Sequence, residues 1–403
     1  MYTHLPILPG DPILSLHEAF LQERNPKRAN LSIGLYFDDE GRLPVLPSVR
    51  VAAERIAAKG LASSYLPIEG APDYRLRTQE LVFGQDHEAV KAGRIATMQA
   101  IGGSGAIHVA ARLITTCFPG SDIWLSDPTW DNHAALCASA GLRIHRYPYY
   151  DPASNGLRLD AMLDALSVIP PRSVVLMQPC CHNPTGIDPT RAQWAQIIEV
   201  LRKRDAIPFL DMAYQGFGAG IEDDAWAIRA MVDAGLMPIV TNSFSKNFSL
   251  YGERVGALSV VCPTPEQAQR VLGQAKAIVR SIYSSPALRG SQLVGEVLGD
   301  DALRAQWLLE VTVMRERIHT MRHTLAQRLV EQLPGIDVRY LTEQRGMFSY
   351  TGLAQSEVDE LREVHGVYLV RSGRMCVAGL GQANVGFVAD ALAGVLAKRG
   401  GRA

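Results

Sequence analysis

The stretch "SFSKNFSLYGERVG", Ser243 to Gly256, places one lysine, Lys246, among serines directly after an apolar run, with Arg254 eight residues further on. An uncharged amine in such a place forms a Schiff base with an aldehyde, while a planar guanidinium grips a phosphate through paired hydrogen bonds. A lysine that is merely solvated on a loop looks the same when taken alone. Pyridoxal 5'-phosphate joins an aldehyde and a phosphate in one molecule, so it meets both demands together. It also requires an acid that keeps its pyridine nitrogen protonated, and Asp211 closes the apolar run "IPFLD", where a strand end would present its carboxylate. Capping of the following turn is the alternative use of Asp211. Tyr214, three residues later, and Asn183 in "CCHNPTG" reach toward the cofactor's phenolic oxygen; core packing and turn formation are their ordinary uses. Trp130 offers a flat face to a pyridine ring, as against a place in the core. His133, three residues on, either fills a helix face or holds Asp211 from behind, and we take the second reading.

Two glycine-rich stretches compete for a phosphate. "GGSGAIHVAARLI" sets Gly102, Gly103 and Gly105 around Ser104, giving close backbone approach and free amides at a helix start. It lacks the GK[ST] ending of a nucleotide P-loop, so a small phosphate fits better than ATP, with ordinary helix capping by Ser104 as the competing use. "GFGAG", Gly216 to Gly220, has GxGxG spacing and precedes the acidic "IEDDAWAI"; we read it as a flexible surface turn and not as a dinucleotide loop.

Positioning these residues requires strand ends on one side of a sheet. Between Ala96 and Cys262 the runs "DIWLSD", "LRIHRY", "SVVLMQ", "IPFLD", "PIVTNS" and "VGALSVVC" alternate with helical segments, the pattern of an α/β fold with a buried, mostly parallel sheet. Asp127 with Trp130, Asn183, Asp211 with Tyr214, and Ser243 with Lys246 fall at run ends, where a crevice forms. From Asp301 a helical pattern continues without proline or glycine until Pro334. Beyond it the expected order is strand, strand, helix, strand, helix, with "GMFSYTG" and "VYLV" as strands and the last helix near Asn384 to Lys398. The expected domains are a large cofactor-binding one at 45–312 and a smaller α/β one assembled from 1–44 and 313–403. The opening "MYTHLPILPGDPIL" reads either as an interface segment tied across another subunit or as a tail.

Composition bounds the partners. With 403 residues, 47% hydrophobic and 20% charged, the chain is long enough for more than one core. A formal net charge of -1 exerts no long-range pull on nucleic acid or an acidic membrane. No apolar run is long enough to span a bilayer and the first residues do not read as a leader, so cytoplasm is the expected compartment. Among the 6 cysteines the spacing suits reduced, mostly buried thiols and no metal site.

In order and across nearly the full length, "DPILSLHEAF", "YLPIEG", "GGSGAIHVAA", "DPTWDNHAAL", "HNPTG", "DMAYQGF", "SFSKNFSLYGERVG" and "SGRMCVAG" resemble the class I, fold-type I pyridoxal-phosphate aminotransferases, in the aspartate and aromatic amino-acid branch. The resemblance implies that Lys246 forms the Schiff base, Asp211 pairs with the pyridine nitrogen, and Asn183 and Tyr214 contact the phenolic oxygen. It implies that Trp130 stacks on the ring, and that Ser104, Gly105, Ala106, Ser243, Ser245 and Arg254 form the phosphate end. Tyr65 would reach the phosphate from the neighbouring subunit of a homodimer. Arg374 is implied for the substrate α-carboxylate, with Gly34, Trp130 and Asn183 beside the substrate, and Arg280 for a dicarboxylate side chain across the interface. A surface ion pair and a helix-terminal charge are the plain alternatives for the two arginines. The chain departs from the family pattern at Ser285, Ala287 and Cys376, all toward substrate and packing rather than cofactor. Its "DPT" and "NPT" segments are where the resemblance makes cis peptide bonds worth testing.

The reaction so implied is ping-pong transfer of an amino group between aromatic or acidic L-amino acids and 2-oxo acids, with glutamate and 2-oxoglutarate as the recurring pair. An aspartate-specific aminotransferase, another pyridoxal-phosphate enzyme such as a lyase or decarboxylase, and a non-enzymatic cofactor-binding regulator use the same pocket; product analysis separates them. No added basic DNA-binding module accompanies the pocket.

Overall fold

The computed structural model describes residues 1–403 except 7–9, 12, 61 and 401–403, so part of the proline-rich opening lies outside the described residues. The chain divides into Pro44–Glu316 and a second unit made of Met1–Leu43 with Arg317–Ala403.

The larger unit is built on β1 (Ile95–Ile101), β2 (Asp122–Asp127), β3 (Arg143–Pro148), β4 (Val174–Met177), β5 (Ile207–Met212), β6 (Ile239–Ser243) and β7 (Val255–Val261). They form one sheet in the order β1-β7-β6-β5-β4-β2-β3. Neighbours from β6 through β3 are parallel, and β7 runs antiparallel to both β6 and β1. Every residue of β4 and β6 is buried; β4, "VVLM", reads as a continuous apolar run for that reason, while β6 also buries Thr241, Asn242 and Ser243. Helix α1 (Gly102–Cys117) lays Ile107, Ala110, Ala111 and Ile114 into the core cluster with Leu125, Leu176 and Phe209, the spacing of one helix face.

Strand β1, "IATMQAI", was absent from the expected set, because Thr97 and Gln99 break its apolar pattern. Both are buried, and tertiary partners absorb them: Gln79 Nε2 donates to Thr97 Oγ1 at 2.9 Å, Thr97 shares a 2.8 Å hydrogen bond with Ser259, and Gln99 Nε2 donates to the Ala287 carbonyl.

From β2 the chain moves outward to β3 and then returns inward to β4, β5 and β6, so the order reverses between β2 and β4. A crevice opens at the carboxyl edge of such a reversal. Since β7 is antiparallel, with Val255 opposite Ile101 and Gly256 opposite Ser243, Arg254 and Gly102 lie at that same edge.

In the second unit, Ala29–Asn30 pairs in parallel with Val367–Tyr368, and Phe348–Tyr350 pairs antiparallel with Arg374–Cys376. The helix Asp301–Gln332 runs unbroken through the boundary between units. One strand, not two, precedes the helix Gln355–His365, and two follow it. The segment before Phe348 instead holds a helical turn, Tyr340–Glu343, because Val338 and Leu341 are both buried at a three-residue spacing. Among the described residues no helix is long and apolar enough to cross a membrane.

Candidate active site

Strand β5 carries Asp211 to the crevice edge, 5% exposed. Thr241 Oγ1 donates to its Oδ1 at 3.0 Å, and His133 Nε2 lies 3.2 Å from its Oδ2. His133 is fully buried in helix α2 (Asn132–Ser139), with its other ring nitrogen 2.8 Å from Thr129 Oγ1. The carboxylate is thus restrained at both oxygens, as a group meant to meet a cation in one direction must be. Trp130, half-buried, stands edge-on to His133 with centroids 5.2 Å apart. Burial, with the Asp211 carboxylate nearby, pushes the Cys137 thiol up to about 12, so this thiol stays neutral.

Beyond β4 the chain folds back on itself at Asn183. Gln178 clamps that residue's backbone, accepting its N–H at 2.9 Å and donating to its carbonyl at 3.1 Å. The Asn183 Nδ2 donates to Tyr214 Oη at 3.3 Å, joining the ends of β4 and β5. Both Asp127–Pro128 and Asn183–Pro184 are cis. Lys246, in the turn after β6, holds its Nζ 5.2 Å from the centroid of the Tyr214 ring.

A second polar group gathers where β6, β7 and α1 meet. Ser104, Gly105 and Ala106 lie in the first turn of α1, and Ile101, the residue before the helix, provides no side-chain cap. Ser104 is therefore inside the helix rather than at the capping position. Ser243 Oγ donates to Ser245 Oγ at 3.1 Å and accepts from the Ser245 amide at 3.2 Å. Gly102 has φ +62°, and a Cβ there would stand 2.6 Å from Arg254 Nη2; one on Gly103 would stand 3.3 Å from Ser243 Cβ. Arg254 has left-handed backbone, φ +51°, and its Nη1 donates to the Tyr251 carbonyl. Helix-start amides, serine hydroxyls and a guanidinium so arranged make a cradle for a dianion.

Tyr65 is 94% exposed, and Arg280 is exposed near the end of the helix Pro265–Ile282. Arg374 belongs to the second unit, where it is buried, donates to the Ser32 carbonyl at 2.7 Å and lies 4.4 Å over the Phe348 ring. Gly34 is in the same unit, and a Cβ on it would meet Phe348 Cζ at 3.0 Å.

Sequence reasoning missed Thr241, Thr129 and Gln178. Each is a small or neutral polar residue within an apolar context, and a buried polar group implies a partner; that was the available signal. The "GFGAG" segment is corrected. It is no flexible surface turn, since Gly216 and Phe217 are buried and Asp224 accepts the amides of Gly216, Gly218 and Ala219 at 2.8, 3.0 and 2.7 Å. Cys180 and Cys181 stand near the same carboxylate, whose oxygens are already committed to those amides. All six cysteines are free thiols and all but Cys117 are buried.

The family model described as aminotransferase class I and II matches residues 26–392. The chain is 53% identical over 397 residues to the aromatic-amino-acid aminotransferase of Escherichia coli K12, covering 98% of this chain and 100% of that protein. It is 42% identical over 396 residues to an aspartate aminotransferase of Pseudomonas aeruginosa, covering 98% and 100%. Among solved structures, an aromatic amino acid aminotransferase from Burkholderia cenocepacia superposes with TM-score 0.94 at 52% identity, covering 98% of each chain. The aromatic-amino-acid aminotransferase of Burkholderia pseudomallei, covalently bound to pyridoxal phosphate, superposes with TM-score 0.96 at 45% identity, covering 98% and 99%. A buried, doubly restrained carboxylate, a lysine beside an asparagine–tyrosine pair and an anion cradle, all at one sheet edge, agree with these likenesses: the chain belongs to the class I and II aminotransferases, the pyridoxal-phosphate-dependent amino-acid transaminases of this α/β fold.

Proposed function

We propose that this aminotransferase exchanges the amino group of aromatic and acidic L-amino acids with 2-oxo acids, glutamate and 2-oxoglutarate being the recurring pair, and that the crevice at the carboxyl edge of β2, β4, β5 and β6 is where it does so. The observation that carries the reading is the convergence of Asp211, the Asn183–Tyr214 pair and Lys246 from three separate strand ends. The residues fit pyridoxal phosphate, because the missing Cβ of Gly102 lets the Arg254 guanidinium lie against the start of α1, where helix-start amides and a cation together suit a phosphate.

When bound, the cofactor supplies an electron sink for the pair released at the substrate α-carbon. Asp211, held by Thr241 and His133, would keep the charge on the ring nitrogen. Asn183 and Tyr214 would hold the phenolic oxygen, and Trp130 would cover a ring face. Ser104, Gly105, Ala106, Ser243, Ser245 and Arg254 would bind the phosphate. Lys246 would hold the cofactor through its amine, and the same amine, when free, would serve as the base that takes the proton from the substrate α-carbon. One flexible side chain serves both roles.

Arg374, with Gly34 beside it, binds the α-carboxylate as a bidentate partner. The exposure of Tyr65 and Arg280 in the single chain supports their working in a neighbouring subunit's site, Tyr65 on the phosphate and Arg280 on an acidic side chain, within a cytoplasmic homodimer. The similarity to aromatic relatives favours an aromatic partner over aspartate alone.

The deciding assay loads the purified protein with cofactor and offers it tyrosine, phenylalanine, aspartate and glutamate with 2-oxoglutarate or 4-hydroxyphenylpyruvate. Reciprocal formation of the aromatic 2-oxo acid and glutamate supports the reading. Turnover of aspartate with none of the aromatics moves the assignment to an aspartate-specific enzyme, and release of carbon dioxide or ammonia without amino exchange overturns it.

A further inference from the structure

We propose that His182 is a positioning residue that sets the spacing between the turn carrying Trp130 and the turn carrying Asn183, an inference that rests on the reading of this crevice as the cofactor site. His182 is buried. Its Nε2 lies 3.0 Å from Ser126 Oγ, at the end of β2, and its Nδ1 lies 2.8 Å from Thr185 Oγ1, two residues past Asn183. Ser126 leads through Asp127 and Pro128 to Thr129, Trp130 and His133, so one imidazole ties together two turns that rise from neighbouring strands.

Each ring nitrogen faces one hydroxyl, and Thr185 Oγ1 also accepts the Ile187 amide at 3.1 Å. In either tautomer a neutral imidazole donates to one of these hydroxyls and accepts from the other. Tyr149 stacks on the imidazole at 3.9 Å and 15°, and its hydroxyl donates to the Ile187 carbonyl. The Asp188 carboxylate accepts the backbone amides of Cys181 and His182. Burial, with His133 nearby, pushes the imidazole down to about 3, so at neutral pH it is one donor and one acceptor. Both roles are taken. The ring has no bond left over for chemistry, and a shift of either turn relative to the other breaks one of the two.

The consequence falls on the cofactor. With the cofactor bound, Trp130 would cover the ring face and Asn183 would serve its phenolic edge, so their mutual spacing would set how well Asn183 donates to an oxygen that carries charge. Weaker donation leaves that charge less stable and moves the pH at which the loaded enzyme's visible absorption changes to a higher value.

The test compares wild-type holoenzyme with His182→Phe, which keeps a ring against Tyr149 and removes both hydrogen bonds, with Ser126→Ala, which removes one, and with Thr185→Val, which removes the other together with the acceptor of the Ile187 amide. His182→Phe is expected to raise the midpoint of the visible pH titration by about 1 unit and to weaken cofactor retention in equilibrium dialysis by about tenfold. Ser126→Ala and Thr185→Val give smaller shifts in the same direction, and Ser126→Ala adds nothing in the His182→Phe background. His182→Gln, whose amide can both donate and accept, recovers part of the shift. An unchanged midpoint and unchanged cofactor retention in His182→Phe, whatever happens to its melting temperature, overturn the inference; if that variant does not fold, the same result for both single-arm variants does so. A wild-type protein that develops no visible band on loading overturns the cofactor reading and this inference together, whereas a normal band with unshifted variants overturns this inference alone.

Discussion

Replacing Thr241 by valine isolates one of the two restraints on Asp211. The side chain is fully buried and its hydroxyl donates to the carboxylate at 3.0 Å. Valine keeps the shape, so no cavity opens, but the hydroxyl is lost and the swap is not a neutral one. A hydrogen bond to a buried charged group contributes about 1.5–3 kcal/mol, so the cofactor-free protein should lose about 2 kcal/mol of stability, read from its urea transition. The carboxylate then leans on His133 alone, at 3.2 Å. Its alignment with the ring nitrogen matters most while charge builds on the ring. If about 1.4 kcal/mol of the lost restraint appears there, the single-turnover rate with an amino acid falls about tenfold. Thr241→Ser, which keeps a hydroxyl, should restore most of the rate and part of the stability. A Thr241→Val enzyme that matches wild type in both half-reaction rate and urea midpoint would falsify the claim that Thr241 holds Asp211 for catalysis.

Three further outcomes are expected. Gly102→Ala forces a Cβ to 2.6 Å from Arg254 Nη2 at a φ of +62°; the backbone strain costs about 1–2 kcal/mol and cofactor affinity drops at least tenfold, and dialysis showing wild-type retention contradicts the cradle. Asp224→Ala strands three amides, the buried one of Gly216 and the part-buried ones of Gly218 and Ala219, which should remove about 3 kcal/mol and raise protease sensitivity in the segment 214–224; an unchanged cleavage pattern argues against the clamp. The imidazole of His182 titrates near 6.5 in the unfolded chain and is held down to about 3 in the fold. Below pH 6.5 the unfolded state therefore binds the extra proton, and this group's contribution is fully present above 6.5 and lost as pH falls toward 3. The slope is at most about 1.4 kcal/mol per pH unit. His182→Phe should flatten the acid side of the stability profile by that amount, and parallel profiles refute it.

Much of the site was legible because its residues sit at strand ends, and strand ends are readable from apolar runs. Lys246, Asp211 and Asn183 each follow such a run. Their partners were not legible for the same reason: Thr241 and Gln178 lie inside or beside runs of buried apolar residues, and a threonine in a strand is unremarkable by type. Strand β1 was missed because Thr97 and Gln99 look exposed until Gln79, Ser259 and the Ala287 carbonyl are seen to satisfy them. The glycine-rich segment after Tyr214 was misread because the acid that orders it, Asp224, lies beyond it in sequence and reaches back to its amides.

The amino-acid sequence by itself determined the α/β alternation, the identity of the candidate lysine, acid and phosphate-end residues, and the family they resemble, because these depend on residue type and local spacing. The tertiary structure alone decided which hydroxyl faces which carboxylate oxygen, that Asn183 meets Tyr214, that both X-Pro bonds are cis and that His182 bridges two turns. Those facts depend on the order and direction in which the strands assemble, and hydrogen bonds between residues far apart in the chain exist only once that assembly has brought their atoms to within about 3 Å.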